Sequence, residues 1–295
     1  MLLLAFIWGS TFVLMEDATK WMPPLTFLTI RFFVAAFCLV IMVVFIYRVP
    51  MKCHSIWFLG SALGGLLALG FGLQTLSLQD TTSGNTAFFT SVVVVIVPFF
   101  SFFLLSTRLS VRSILSLILV LLGLFLLSGY QISNINQGDL LAFLGAFSFA
   151  LHIVFIKKWG TKMPVFSLVT IQMIFAALFC GIGAFFFESW QSAFAPSVMI
   201  QPSVWSAIIV CSLLATVFAY AMQAYLQRYL DPNRASLIIT MESVFAAGID
   251  YLWNQVTITD WKLLGCVIIF AGLIWSNLKE EESTNNRVDM LTQEN

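Results

Sequence analysis

Long apolar blocks, separated by short polar punctuation, repeat along the whole of this chain. Runs of about 18 or more apolar residues are long enough to cross the hydrocarbon layer of a bilayer as helices. The pattern therefore predicts an all-α integral membrane protein with ten transmembrane helices, at roughly 2–15, 24–47, 55–78, 83–105, 111–129, 139–156, 164–187, 204–227, 233–253 and 259–278. The polar, charged stretch 279–295 predicts a disordered tail. The connecting loops are short, which leaves no place for a soluble catalytic domain.

The same pattern is written twice. Pro23 through Ala36 reappears as Pro164 through Ala177, at an offset of 141, with Pro, Thr, Ile and both Ala residues identical. Further along the offset becomes 149. Gln74 then meets Gln223, Leu115 meets Leu264, and Gly123-Leu124 meets Gly272-Leu273. The change of eight falls in a longer loop of the second copy, Glu188 to Pro202. Two repeats are expected, at 1–130 and 131–278. Each carries five spans, so the second is inverted relative to the first, an arrangement typical of secondary transporters.

The first span is short: about 14 residues reach about 21 Å, against about 30 Å of hydrocarbon. It has no basic leader and no clear small-residue cleavage site, so it does not read as a signal peptide. Leu4-Ala5-Phe6 also matches Leu141-Ala142-Phe143, which places the segment within a repeat and leaves room for a longer native N-terminus.

Charge sets the orientation. With the N-terminus in the cytoplasm, the inner loops and tail hold Arg48, Lys52, Arg108, Arg112, Lys157, Lys158, Lys162, Arg228, Arg234, Lys279 and Arg287. The outer loops hold Lys20 and Lys262. This asymmetry predicts a cytoplasmic (inner or plasma) membrane protein with both termini inside. The composition agrees, with 60% apolar and 9% charged residues against about 25% charged in soluble domains. The 30 Phe suit lipid-facing and helix-packing surfaces, and the five Cys, without C-x-x-C spacing, read as small apolar fillers.

Lipid offers no hydrogen bonds, so polar groups at membrane depth must face protein or a water-filled cavity. Glu242, near the middle of span 9, is the sharpest candidate. It is either a proton-coupling or substrate-amine site, or a structural carboxylate at a helix break. Arg31, opposite Gln172 in the repeat, can pair with Glu242, bind an anionic substrate group, or snorkel outward. The repeat mates Gln74 and Gln223 suggest either a shared cavity wall or interhelical hydrogen bonding. His152 belongs to the residue type that titrates near neutrality, and a structural role is its alternative. Asp250, near the outer end of span 9, reads as a solvated carboxylate. Trp8-Gly9-Ser10-Thr11 and Gly84-Asn85-Thr86 combine glycine with hydroxyl and amide groups. They predict either local unwinding along a cavity or close helix packing. Tyr220 and Trp8 are candidate aromatic walls, and Pro98 is expected to kink span 4.

Together these residues resemble the drug/metabolite transporter superfamily, in particular its EamA-type members. The resemblance rests on Ile7 through Phe12, Pro24 through Phe32, Ser83 through Phe88, and Ala235 through Phe245, and it covers nearly the whole chain. Two departures stand out. Ser243 follows Glu242 where the family usually has proline, and Trp253-Asn254-Gln255-Val256 replaces a Leu-Gly-Glu-type turn. The resemblance implies a ten-helix bundle with a central cavity walled by spans 1, 3, 4, 6, 8 and 9. It also implies export of amino acids, other metabolites or toxic compounds.

The expected function is thus a secondary transporter working by alternating access, an exporter of small metabolites or drugs, with protons as the candidate coupling ion. A cavity of Gln, Asn, Thr and Trp with Glu242 and Arg31 suits a zwitterion, a neutral polar metabolite or an aromatic drug. A non-transporting scaffold or sensor is the alternative. An intramembrane enzyme is a weaker one, because no H-E-x-x-H, G-x-G-D or G-x-S-x-G motif occurs. No cofactor is expected, since the chain has no P-loop or dinucleotide motif, and no nucleic-acid partner is expected. The expected partners are a small-molecule substrate and the lipid bilayer.

Overall fold

A backbone crossing hydrocarbon must satisfy its own hydrogen bonds, and the apolar blocks do so as helices. The computed structural model describes residues 1–47, 54–107, 110–128, 135–254 and 259–277. The expected tail and the boundary between repeats at 130–131 lie outside the described residues.

The first repeat contributes α1 (Leu2–Thr19), α2 (Pro24–Ile41, extended by a π-helical turn Met42–Tyr47), α3 (His54–Ser77), α4 and α5 (Val111–Ser128). Helix α4 comes in two pieces, Ser83–Ser91 and Val93–Leu105. The second repeat contributes α6 (Gln137–Trp159), α7 (Val165–Phe187), α8, α9 and α10 (Asp260–Asn277). Helix α8 runs as Pro202–Ile209, a π-helical stretch Val210–Phe218, and Ala219–Leu226. Helix α9 is again in two pieces, Pro232–Ile239 and Met241–Asn254. Among the described residues, nine helices are long and apolar enough to cross a membrane. Helix α10 completes the ten expected spans.

Local chemistry explains the ends. Proline opens α2, α8 and α9, where its missing N–H costs nothing. The side chains of Thr82, Asn136 and Asp231 cap α4, α6 and α9. At α6, Asn136 and Asp139 form a reciprocal capping box.

Helix α1 is longer than the expected span, reaching 18 residues. Glu16 and Asp17 do not end it, because they sit in its last turn with partners. Glu16 accepts from the Ser83 N–H at 3.2 Å, and Asp17 pairs with Lys20 at 2.7 Å.

Helix packing follows the inverted repeat. Exchange of the two halves maps the pairs α5–α10 and α2–α7 onto themselves, and both pairs are in close contact. It maps α1–α9 onto α4–α6, and α3–α6 onto α1–α8, and all four contacts occur. At α5–α10 the backbones nearly touch: a Cβ on Gly265 would lie 2.5 Å from the Gly123 carbonyl oxygen. The interruptions of α4 at Val92 and α9 at Thr240 are also mates, one residue apart at the offset of 149. The break in α4 precedes Pro98, which lies inside the second piece. Phenylalanines such as Phe33, Phe45, Phe58, Phe99 and Phe187 face outward, toward lipid.

One face of the bundle is basic, and there α6 and α8 hold each other. Lys157 donates to the carbonyls of Leu230 (2.9 Å), Gln227 (3.2 Å) and Arg228 (3.4 Å), while Arg228 donates to the Met163 carbonyl. At the opposite face Glu188, ending α7, caps α2 by accepting from Leu25 N–H (2.7 Å), Thr26 N–H (2.8 Å) and the Thr26 hydroxyl (2.9 Å). Carboxylates at helix N-termini and cations at C-termini both complement the helix dipole.

Candidate functional site

Between the repeats lies a cavity of about 50 Å³, walled by α1, α3, α4, α6, α8 and α9. Every lining residue has its repeat mate in the same wall. At the offset of 141 the pairs are Trp8/Phe149, Thr11/His152 and Phe12/Ile153. At the offset of 149 they are Phe71/Tyr220, Gln74/Gln223, Thr90/Ile239 and Val93/Glu242. The cavity therefore sits on the pseudo-two-fold axis. The match of Leu4-Ala5-Phe6 to Leu141-Ala142-Phe143, at an offset of 137, does not mark equivalent positions. Helices α1 and α6 end within one residue of each other at 141, not at 137.

The symmetry is geometric and not chemical. Both ionisable lining residues other than tyrosine, His152 and Glu242, come from the second repeat, and their mates in the first are Thr11 and Val93. Glu242 is 6% exposed, in the first turn after the break in α9. The N-terminus of that second helical piece lends partial positive charge to its carboxylate. Ser243, standing where proline was expected, shares a 2.6 Å hydrogen bond with Ser91 of α4 and donates to the Ala87 carbonyl at 2.9 Å. The interruptions of the mate helices α4 and α9 are thereby tied together.

His152 contacts Gln172 of α7 (Nε2 to Oε1, 3.2 Å) and stacks edge-on against Tyr220, ring centroids 5.6 Å apart. Gln74 donates to the Thr90 hydroxyl at 3.2 Å, whereas the side-chain oxygen of Gln223 is buried without a partner. Trp8 donates to the Ala215 carbonyl at 2.9 Å, and Thr11 to the Trp8 carbonyl at 2.7 Å.

Four of the expected site residues lie elsewhere. The Ser10 hydroxyl donates to the Ile7 carbonyl (2.6 Å) within its own continuous helix, so α1 is not unwound. Asn85 donates to the Thr81 hydroxyl at 3.2 Å and borders a separate cavity between α4, α5, α9 and α10. Thr86 shares a 3.0 Å hydrogen bond with Ser77. Arg31 neither snorkels nor reaches Glu242. It is fully buried behind the cavity wall, with its guanidinium 4.4 Å from the Phe71 ring centroid. Asp250 lines the separate cavity with Asn85 and Lys262.

Sequence reasoning missed Phe12, Phe71, Thr90, Val93, Phe149, Ile153 and Ile239. The signal for Phe71 was available, because it lies one helical turn before Gln74, as Tyr220 does before Gln223.

Comparison with known proteins agrees with this architecture. The model of the EamA-like transporter family matches twice, over residues 1–129 and 136–278. An uncharacterized transporter of Archaeoglobus fulgidus is 27% identical over 277 residues, covering 94% of this chain and 84% of its own. The uncharacterized transporter YvbV of Bacillus subtilis is 32% identical over 230 residues, 75% of this chain and 71% of its own. A probable amino-acid metabolite efflux pump of Salmonella typhimurium is 26% identical, covering 92% and 91%. A solved crystal structure shares the fold with a TM-score of 0.75 at 16% identity, over 94% of this chain and 95% of that one. The chain belongs to the EamA-like transporter family, and is a multi-pass membrane transporter rather than an enzyme.

Proposed function

We propose that the protein is a secondary transporter that exports small metabolites, amino acids or related compounds, by alternating access between its two repeats. In this reading it lies in the cytoplasmic membrane with both termini inside, and Glu242 carries the coupling proton or meets the substrate amine. The observation that carries the proposal is the paired wall of the cavity, three helices from each repeat, with Glu242 its one lining carboxylate. A ligand held on that axis contacts both halves, so a small rocking of one half against the other exposes it to either face. The cavity's 50 Å³ is a third of the about 150 Å³ that accepts one benzene, so a substrate requires the walls to part. Relatives named as probable amino-acid metabolite efflux pumps support the direction and the class.

The test is expression in bacteria of the wild type beside Glu242→Gln at matched membrane abundance, with metabolites in the medium profiled by mass spectrometry. One compound class is expected to accumulate with the wild type and not with the variant. Equal export by both makes Glu242 structural. No change in the medium with either protein overturns the export reading.

A further inference from the structure

We propose that Arg31 is the carboxylate-binding group of the transport site, held behind a Phe71–Tyr220 partition, and that the transported molecules bear a free carboxylate. The inference rests on the export reading above and names the substrate chemistry.

Arg31 is the largest fully buried side chain of the protein's described residues. Its guanidinium is charged at any physiological pH. Among the described residues it has no carboxylate partner. Its Nε donates to the Thr216 hydroxyl at 3.0 Å, its Nη1 meets the Met15 sulfur at 3.3 Å, and its Nη2 has no partner at all. A hydroxyl, a thioether and the faces of Phe71 and Phe32 are weak company for a buried cation. Leaving such a charge unpaired in the interior of a membrane protein is costly, and marks a group with work to do in another state. The planar fork of a guanidinium matches a carboxylate in two parallel hydrogen bonds.

Position supports the same ligand. The Phe71 ring separates Arg31 from the cavity, and it packs on Tyr220 at 6.3 Å between centroids. Tyr220 and Glu242 line the same cavity. Parting the two rings would join the guanidinium to the cavity that Glu242 lines with its carboxyl group. A molecule with an amine and a carboxylate would then find a partner at each end. The inverted repeat gives an independent indication. Gln172, the mate of Arg31, reaches the cavity wall directly through His152, so Arg31 stands at the equivalent station for the other half. Its partner Thr216 belongs to the π-helical stretch of α8, a feature often found at functional sites.

The experiment is efflux from proteoliposomes preloaded with leucine, phenylalanine, threonine and glutamine together with the corresponding carboxamides. Appearance outside is followed by mass spectrometry, and protein-free vesicles are subtracted. The wild type should release the free acids over the amides by about tenfold, the size of one charge-assisted hydrogen bond. In Arg31→Gln that ratio should fall to near one, and Arg31→Lys should give an intermediate value. Should Arg31→Gln fail to fold, the wild-type ratio and Arg31→Lys still decide. Equal release of acids and amides by the wild type overturns the assignment and leaves the transport reading standing. So does a folded Arg31→Lys or Arg31→Gln protein that loses both alike. Release of neither by the wild type overturns the export reading and the carboxylate site with it.

Discussion

The backbone carbonyl of Glu242 lies where the side chain of Gly9 would begin: a Cβ at Gly9 would stand 2.5 Å from that oxygen and 2.9 Å from the Phe245 Cβ. The α1–α9 crossing is therefore backbone on backbone at the residue that carries the cavity's carboxylate. Gly9→Ala must push the two helices apart, since the nearest atom is main chain and cannot rotate away. Overpacking of this kind costs about 1–3 kcal/mol, or on the order of 5 °C in melting temperature. Gly248→Ala, on the same helix α9 with nothing within 4 Å of its Cβ, should melt like the wild type. Melting of the detergent-purified proteins checks both. Equal melting of all three would show that α1 does not pack this closely.

The N-terminus of α2 has no cap of its own, because Pro23 precedes it. Glu188 supplies that cap from the end of α7, the repeat mate of α2, with three hydrogen bonds to Leu25 and Thr26. Glu188→Ala should cost about 1–2 kcal/mol, the size of a lost N-cap. Glu188→Gln should recover part of it, since one amide oxygen can still accept. A melting curve of Glu188→Ala superimposed on the wild type would contradict this capping role.

The repeat mates Gln74 and Gln223 occupy equivalent places and predict different phenotypes. Gln74 donates to Thr90 across to α4, so Gln74→Leu leaves the Thr90 hydroxyl with one partner fewer. The side-chain oxygen of Gln223 has no partner to lose. We expect Gln74→Leu to lower stability by about 0.5–1.5 kcal/mol, a typical hydrogen-bond contribution. Gln223→Leu should melt within about 0.5 kcal/mol of the wild type and lower the export of its substrates. Paired melting and metabolite profiles separate the two. A reversed pattern would mean that Gln74 and not Gln223 meets the substrate.

How far the sequence carried this picture depends on the kind of residue. The ten helices were legible because hydrocarbon enforces long apolar blocks, and the duplication was legible from Pro23–Ala36 and Pro164–Ala177. Gln74 and Gln223 were found because both copies kept a polar residue at one position. The pair Val93/Glu242 left no such trace, since one copy is apolar there. Ser10 and Thr86 read like cavity residues, but hydroxyls can be satisfied within a helix or by a neighbouring turn, and periodicity does not distinguish the cases. Glu16 and Asp17 lie beyond the expected end of the first span at residue 15, yet they are helical. Their partners, the Ser83 N–H and Lys20, are set by the adjoining turns and keep them in helix.

The reciprocal hold between Lys157 and Arg228 leads to the last prediction. The Lys157 ammonium spans the carbonyls of Gln227, Arg228 and Leu230 at the end of α8, and Arg228 returns a hydrogen bond to Met163 just beyond α6. Both helices line the cavity further in, so loosening this contact is expected to widen access from the basic face. Lys157→Met keeps the stem but removes the donors. Losing charge-assisted bonds of this kind, worth about 1.5–3 kcal/mol, should raise the population open at that face by roughly tenfold or more. Gln227 is 1% exposed, so Gln227→Cys offers a reporter. In the Lys157→Met background its labelling by a membrane-impermeant maleimide, added from the basic face, should accelerate by at least that factor. An unchanged labelling rate would show that the hold fixes the helix ends without governing access to the cavity.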